Sequence, residues 1–193
     1  MKNAVKVIAA LLVLGGGGSL VYALSNARQG YKPLQPIYFQ HRRMAGAPQW
    51  VTNAEGKEVN LGGFNIPCLY CHAMEYKGRH STLPSTDICM NCHSTVGQDK
   101  EWVLVLKGYW DRGEPIPWVK VHDLPDYAYY DHSVHLAAKD DQGKAKLECV
   151  NCHGTVEEMD VVTVQHPLNM GWCLDCHRKP EMGAPTDCVT CHR

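Results

Sequence analysis

Five times in 193 residues the chain repeats one pattern: Cys, two residues, Cys, His. The copies are CLYCH (Cys68 to His72), CMNCH (Cys89 to His93), CVNCH (Cys149 to His153), CLDCH (Cys173 to His177) and CVTCH (Cys188 to His192), and together they use all ten cysteines. A bare CxxC suits half of a zinc site, a thioredoxin-like redox pair or a disulfide framework. None of these requires His directly after the second Cys. With 11 His in the chain, five such coincidences have a probability on the order of one in a million, whereas attachment of a c-type haem requires that His. The two thiols add across the haem vinyl groups and the adjacent imidazole takes the iron. The motifs predict five covalent haems. Cys68, Cys71, Cys89, Cys92, Cys149, Cys152, Cys173, Cys176, Cys188 and Cys191 are the attachment residues, and His72, His93, His153, His177 and His192 are the proximal ligands.

Composition agrees with cofactors at the centre. There are two Phe, while 17 Gly and 11 Pro interrupt most would-be helices and strands. A core built of side chains would be thin, and the apolar faces of haem are what remains to be buried. The expected fold is mainly irregular with short α-helices, wrapped around five haems and dependent on them. A formal charge of −1 gives no electrostatic ground for a nucleic-acid partner.

The N-terminus reads as a transmembrane anchor over residues 1–27. Lys2 and Lys6 precede a run without charge from Val7 to Ser25, which as a helix approaches the ~30 Å thickness of a bilayer core. Ser25-Asn26-Ala27 loosely resembles a cleavage site, but the apolar run exceeds a usual signal core, so an uncleaved anchor is expected. Gly15 to Gly18 suit close packing against a neighbouring membrane helix. The basic flank places the N-terminus in the cytoplasm and residues 28–193 on the periplasmic side of a bacterial inner membrane. That portion divides into a two-haem group (28–100), a Trp-, Tyr- and Pro-rich strap (101–135) and a three-haem group (136–193).

Five distal ligand positions remain. Two stretches align as a weak repeat: IYFQHRRM (Ile37 to Met44) and AYYDHSVH (Ala128 to His135), in which His132 matches His41 and His135 falls opposite Met44. His132 and His135 stand at i, i+3, on one face of a helical turn, from which two imidazoles can serve two haems. His41 is assigned to the Cys68/Cys71 haem, with Met44 either a thioether ligand or an apolar contact. His122 sits in an apolar strap where an unpaired imidazole is costly. His166 and Met170 compete for one haem, and the Cys89/Cys92 haem is contested among Met44, His122 and His80. Arg42, Arg43, Arg79, Arg112 and Arg178 are candidates to pair with haem propionates.

Two resemblances extend this reading. The i, i+3 histidine pair ahead of CxxCH resembles the c3/c7 class of multihaem cytochromes over the last ~65 residues. It implies His132 on the Cys149/Cys152 haem, His135 on the Cys173/Cys176 haem and the His166/Met170 region on the Cys188/Cys191 haem. Nearly the whole chain is similar to the pentahaem subunit of alternative complex III. The likeness rests on the anchor, the two-plus-three motif spacing and the phrases LPSTDICMNCH, PIPWVKVHDLPDYAYYDHSVH and LNMGWCLDCHR. It implies a quinol oxidoreductase complex in which this subunit takes electrons from an iron–sulfur subunit and passes them to a periplasmic monohaem cytochrome or similar acceptor. His41-x-x-Met44 departs from that family's His-x-x-His.

On this reading the chain has no catalytic residue and is no enzyme by itself. A multihaem reductase would need an open iron position, often marked by a variant such as CxxCK, and none occurs. The other alternative is a membrane-anchored quinol dehydrogenase feeding a periplasmic reductase.

Overall fold

The computed structural model describes residues 15–24, 26–78 and 82–193. Most of the expected anchor lies outside them, as do Arg79 and His80. Residues 15–24 are helical, and among the described residues no helix is long and apolar enough to cross a membrane.

Helices are short, and five of those that follow sit on the motifs. In chain order they are α1 (His41–Ala45), α2 (Cys68–Cys71), α3 (Thr86–His93), α4 (Glu101–Arg112), α5 (His132–Leu136), α6 (Val150–His153), α7 (Met170–His177) and α8 (Cys188–Cys191), with a 3-10 turn at Val156–Glu158. Side-chain caps start several of them. Asp131 accepts from the Ser133 N–H at 2.8 Å, Asn169 from Trp172 at 2.9 Å and Asp187 from Thr190 at 3.1 Å, each satisfying an amide that the first turn leaves unpaired. The longest helix, α4, carries the Lys107–Asp111 pair one turn apart. It stops at Gly113, whose φ of 65° is cheap only for glycine. There the Gly113 and Glu114 amides return to Trp110 and Tyr109 at 3.0 Å, closing a Schellman cap.

The side-chain core is small. Ile37, Leu106 and Ile116 form one buried cluster, with Cys89, Met90, Val105, Tyr109 and Trp118 packed against it. It fixes α4 against α3 and therefore fixes the second motif. At about 1.5–3 kcal/mol per buried aliphatic side chain, such a cluster cannot hold the whole chain. Backbone contacts locate the rest. The α1 helix packs on the 3-10 turn, where the Arg42 amide donates to Met159 O at 2.9 Å and its guanidinium pairs with Asp160. The strap is tied at several points. Gln35 exchanges two 2.9 Å hydrogen bonds with the Val119 backbone, and the Tyr129 amide donates to Cys191 O at 2.7 Å.

An exposed hairpin interrupts the helical pattern. Strands β1 (Trp50–Thr52) and β2 (Glu58–Asn60) pair antiparallel with Val51 opposite Val59, joined by a turn in which Asn53 Oδ1 accepts the Glu55 and Lys57 amides at 3.1 and 2.9 Å. No strand was anticipated there. Its C-terminal end folds back so tightly on the segment after α1 that a Cβ at Gly63 would meet the backbone of Gly46 and Arg42. Backbone cannot give way as a flexible side chain can. Gly63→Ala is therefore expected to lower stability by about 1–3 kcal/mol, read as a depressed midpoint of thermal unfolding; an unchanged midpoint would contradict this packing.

Candidate cofactor-binding sites

One helical turn explains why the motif works. The two cysteines at i and i+3 share a face, and His at i+4 follows on the same side. In the first, third and fifth motifs the His amide bonds back to the carbonyl of the first Cys at 2.9 Å. None of the ten cysteines is in a disulfide. Next to them are exposed apolar side chains, including Leu69, Tyr70, Met170 and Val189. An apolar face laid against the motif would cover them.

Four imidazoles are held by their Nδ1 atoms. His93 Nδ1 meets Val96 O at 3.1 Å, His177 Nδ1 meets Pro185 O at 2.7 Å and His192 Nδ1 meets Tyr127 O at 3.0 Å. A carbonyl can only accept, so Nδ1 carries the proton and Nε2 keeps its lone pair for a metal. His135, expected on the distal side, is held the same way by Asp131 O at 2.8 Å.

Two pairs have the separation that a shared metal demands. Two imidazoles bound through Nε2 at about 2.0–2.1 Å on opposite sides of one ion put their ring centres roughly 6.2 Å apart. His132 and His153 lie 6.2 Å apart with ring planes 7° from parallel, and His135 and His177 lie 6.0 Å apart. The i, i+3 pair on α5 thus faces the third and fourth motifs. Tyr130 packs its ring on both, at 4.8 Å from His132 and 4.6 Å from His135, and burial pushes its hydroxyl pKa up. Among the described residues no three His, Cys, Asp or Glu side chains converge on a bare ion site. The facing pairs are His132 with His153 and His135 with His177, and these would hold a haem iron between them.

Buried polar atoms without a partner fall on several of the same residues. The buried side-chain nitrogen and oxygen atoms without a hydrogen-bond partner, among the described residues, are His41 Nδ1, His122 Nε2, His132 Nδ1 and Glu75 Oε2. Three of the four belong to expected distal ligands. Burial, then the neighbouring His72, lowers the His41 pKa to about 4; burial, then His122 and His132, lowers that of His153 to about 4. Neutral imidazoles are the form that ligates. The residues present fit covalently attached haem.

Other expected ligands are placed less simply. His122 sits edge-on to His153 at 4.5 Å, closer than two ligands of one ion. His166 stacks on Trp172 at 5.3 Å. Met170, first residue of α7, is 61 % exposed. Met44 is half-buried on α1 and its carbonyl accepts the Ile66 amide at 3.0 Å, two residues before Cys68. Arg42 and Arg112 are engaged with Asp160 and Glu114, and Arg43 with backbone carbonyls and the Phe64 ring. Sequence reasoning passed over Glu75 altogether; no motif marks it.

The attachment sites also form a series. Asn91 of the second motif donates to Tyr70 of the first at 3.3 Å, and burial followed by Cys71 pushes the Cys89 thiol up. Cys68 and Cys149 line one cleft, where burial followed by Cys68 raises the Cys149 thiol. The two histidines of α5 link the third motif to the fourth. Pro185 links the fourth to the fifth through its bond with His177, and burial followed by Cys191 raises Cys173. The order in space is second, first, third, fourth, fifth.

No family model matches the sequence. The chain is 25 % identical over 177 residues, 82 % of its length and 77 % of the relative's, to the multihaem cytochrome c subunit of menaquinone reductase from Nitratidesulfovibrio vulgaris.

His135 and His177 are the best-defined pair, since both rings are fixed by carbonyls. Loading the chain with haem and replacing His135→Ala is expected to turn one haem high-spin and able to bind carbon monoxide when reduced. A fully low-spin spectrum would remove His135 from the ligand set.

Proposed function

We propose that this chain is the electron-relay subunit of a membrane-bound quinone oxidoreductase complex, carrying five covalent haems on the periplasmic side of a bacterial plasma membrane. When bound, the haems supply one-electron redox chemistry between neighbours within the chain. What the polypeptide contributes is attachment, ligation and spacing. The ten motif thiols hold the macrocycles in a fixed series, and the Nδ1-anchored imidazoles present Nε2 to the irons. The continuous order of the five sites is the observation that carries this reading, because an electron relay requires adjacent stations and a set of separate structural modules does not.

Similarity to a multihaem cytochrome c subunit of a menaquinone reductase supports the subunit class. The motif spacing and surrounding phrases add the finer reading: a pentahaem subunit of an alternative complex III, anchored by residues 1–27. It would be supplied by an iron–sulfur subunit and drained by a periplasmic cytochrome. The chain itself transforms no substrate.

The relative's name favours a second direction. A menaquinone reductase delivers electrons to quinone, so the same series could run from a periplasmic donor toward the membrane. The two directions separate in the intact complex. Under the alternative complex III reading, menaquinol alone reduces the haems. Under the other, a reduced periplasmic cytochrome reduces them and added menaquinone reoxidises them. Haems that respond to neither quinol nor quinone in the complex would contradict both.

A further inference from the structure

Glu75 stands three residues after the first motif, outside every helix, yet its side chain is only 13 % exposed. One carboxylate oxygen, Oε1, accepts the Thr82 amide at 3.1 Å. The other, Oε2, is buried with no hydrogen-bond partner, and so is Nδ1 of His132. These two orphaned atoms face each other at 3.4 Å, within ion-pair distance but not aligned for a hydrogen bond. An unpaired buried carboxylate oxygen is costly, so the pairing has a physical drive.

The contrast with the other imidazoles is specific. His93, His135, His177 and His192 each set Nδ1 against a neutral backbone carbonyl. His132 alone among these ring contacts meets a carboxylate. The partner comes from the other half of the chain, 57 positions earlier in sequence. Around the pair, Tyr130 presents its ring edge-on to His132 at 4.8 Å, and Asp131, His135 and His153 are the other charged or titratable neighbours of His132 among the described residues.

We propose that Glu75 is the positioning residue for His132: its carboxylate faces Nδ1 within ion-pair distance, aims Nε2 at the third motif, and through its charge makes this imidazole a stronger electron donor than its carbonyl-held counterparts. The inference rests on the reading that His132 is the distal ligand of the Cys149/Cys152 haem. A carboxylate behind a ligating histidine raises the basicity of that ligand. A more basic ligand favours the ferric iron, so Glu75 lowers the potential of this one haem. It thereby sets a difference in mid-series, where both neighbouring sites adjoin it.

The test is a redox titration of the full-length, haem-loaded chain followed optically, with the low-spin ferric signals recorded by electron paramagnetic resonance. In Glu75→Gln one midpoint should rise and one ferric signal should shift, while the others stay. Glu75→Asp, which keeps the charge but withdraws it by one methylene, should give a smaller rise and serves if the Gln variant loads poorly. Five unchanged midpoints, or a uniform shift of all five, would overturn the proposal. His132→Ala separates the proposal from its premise. If every haem stays low-spin, both fall; if one turns high-spin yet the Glu75 variants move no midpoint, the proposal alone falls.

Discussion

Burial is the constraint on which this fold depends. Among the described residues only Ile37, Leu106, Ile116 and Val164 are buried apolar side chains, and no large side chain is fully enclosed. The accessible surface, 13908 Å², exceeds by about half the ~9,200 Å² expected of a compact chain of this mass. The exposed N-terminal helix accounts for part of that excess. The rest is the surface left when helices of one or two turns are spread over the chain with nothing of their own to pack on. Five macrocycles with apolar faces on both sides would fill that role, and exposed apolar side chains such as Leu69, Tyr70 and Val189 lie within the motifs.

Ligation and topology are then the same problem. In an irregular chain the imidazole pairs would act as crosslinks once they share a metal. His132 and His135 on one turn set the strap against the third and fourth motifs, 6.2 and 6.0 Å from His153 and His177. His192, through Tyr127, binds the strap to the fifth. Each such tie closes a long loop, which costs little more entropy than a short one. A ligand change at α5 should therefore disturb the path of the chain as well as one haem.

The candidate attachment sites were legible in the sequence because the motif is local: five residues within one helical turn contain both thiols and a histidine. The α5 pair was legible for the same reason, since i, i+3 spacing fixes a shared face. Distal ligands drawn from afar were not. Nothing in the sequence around His122 tells that it meets His153, and the exposure of Met170 depends on how the loop before α7 is held. The hairpin had a weak local signal, the alternation in WVT and EVN around an Asn- and Gly-bearing turn. Glu75 had none, because a buried carboxylate is defined by the distant His132 it faces. The acidic partners of Arg42 and Arg112, Asp160 and Glu114, were likewise not legible, because they are defined by the fold rather than by any motif.

The claim that the five motifs are haem sites arranged as one series stands or falls first on covalent occupancy. The most direct measurement is the intact mass of the mature chain, denatured and exposed to a thiol-alkylating reagent. The expected result is a mass increased by five haems with no cysteine labelled, since all ten thiols are thioethers. A chain that takes up the reagent at any motif, or carries zinc in place of haem, would contradict it.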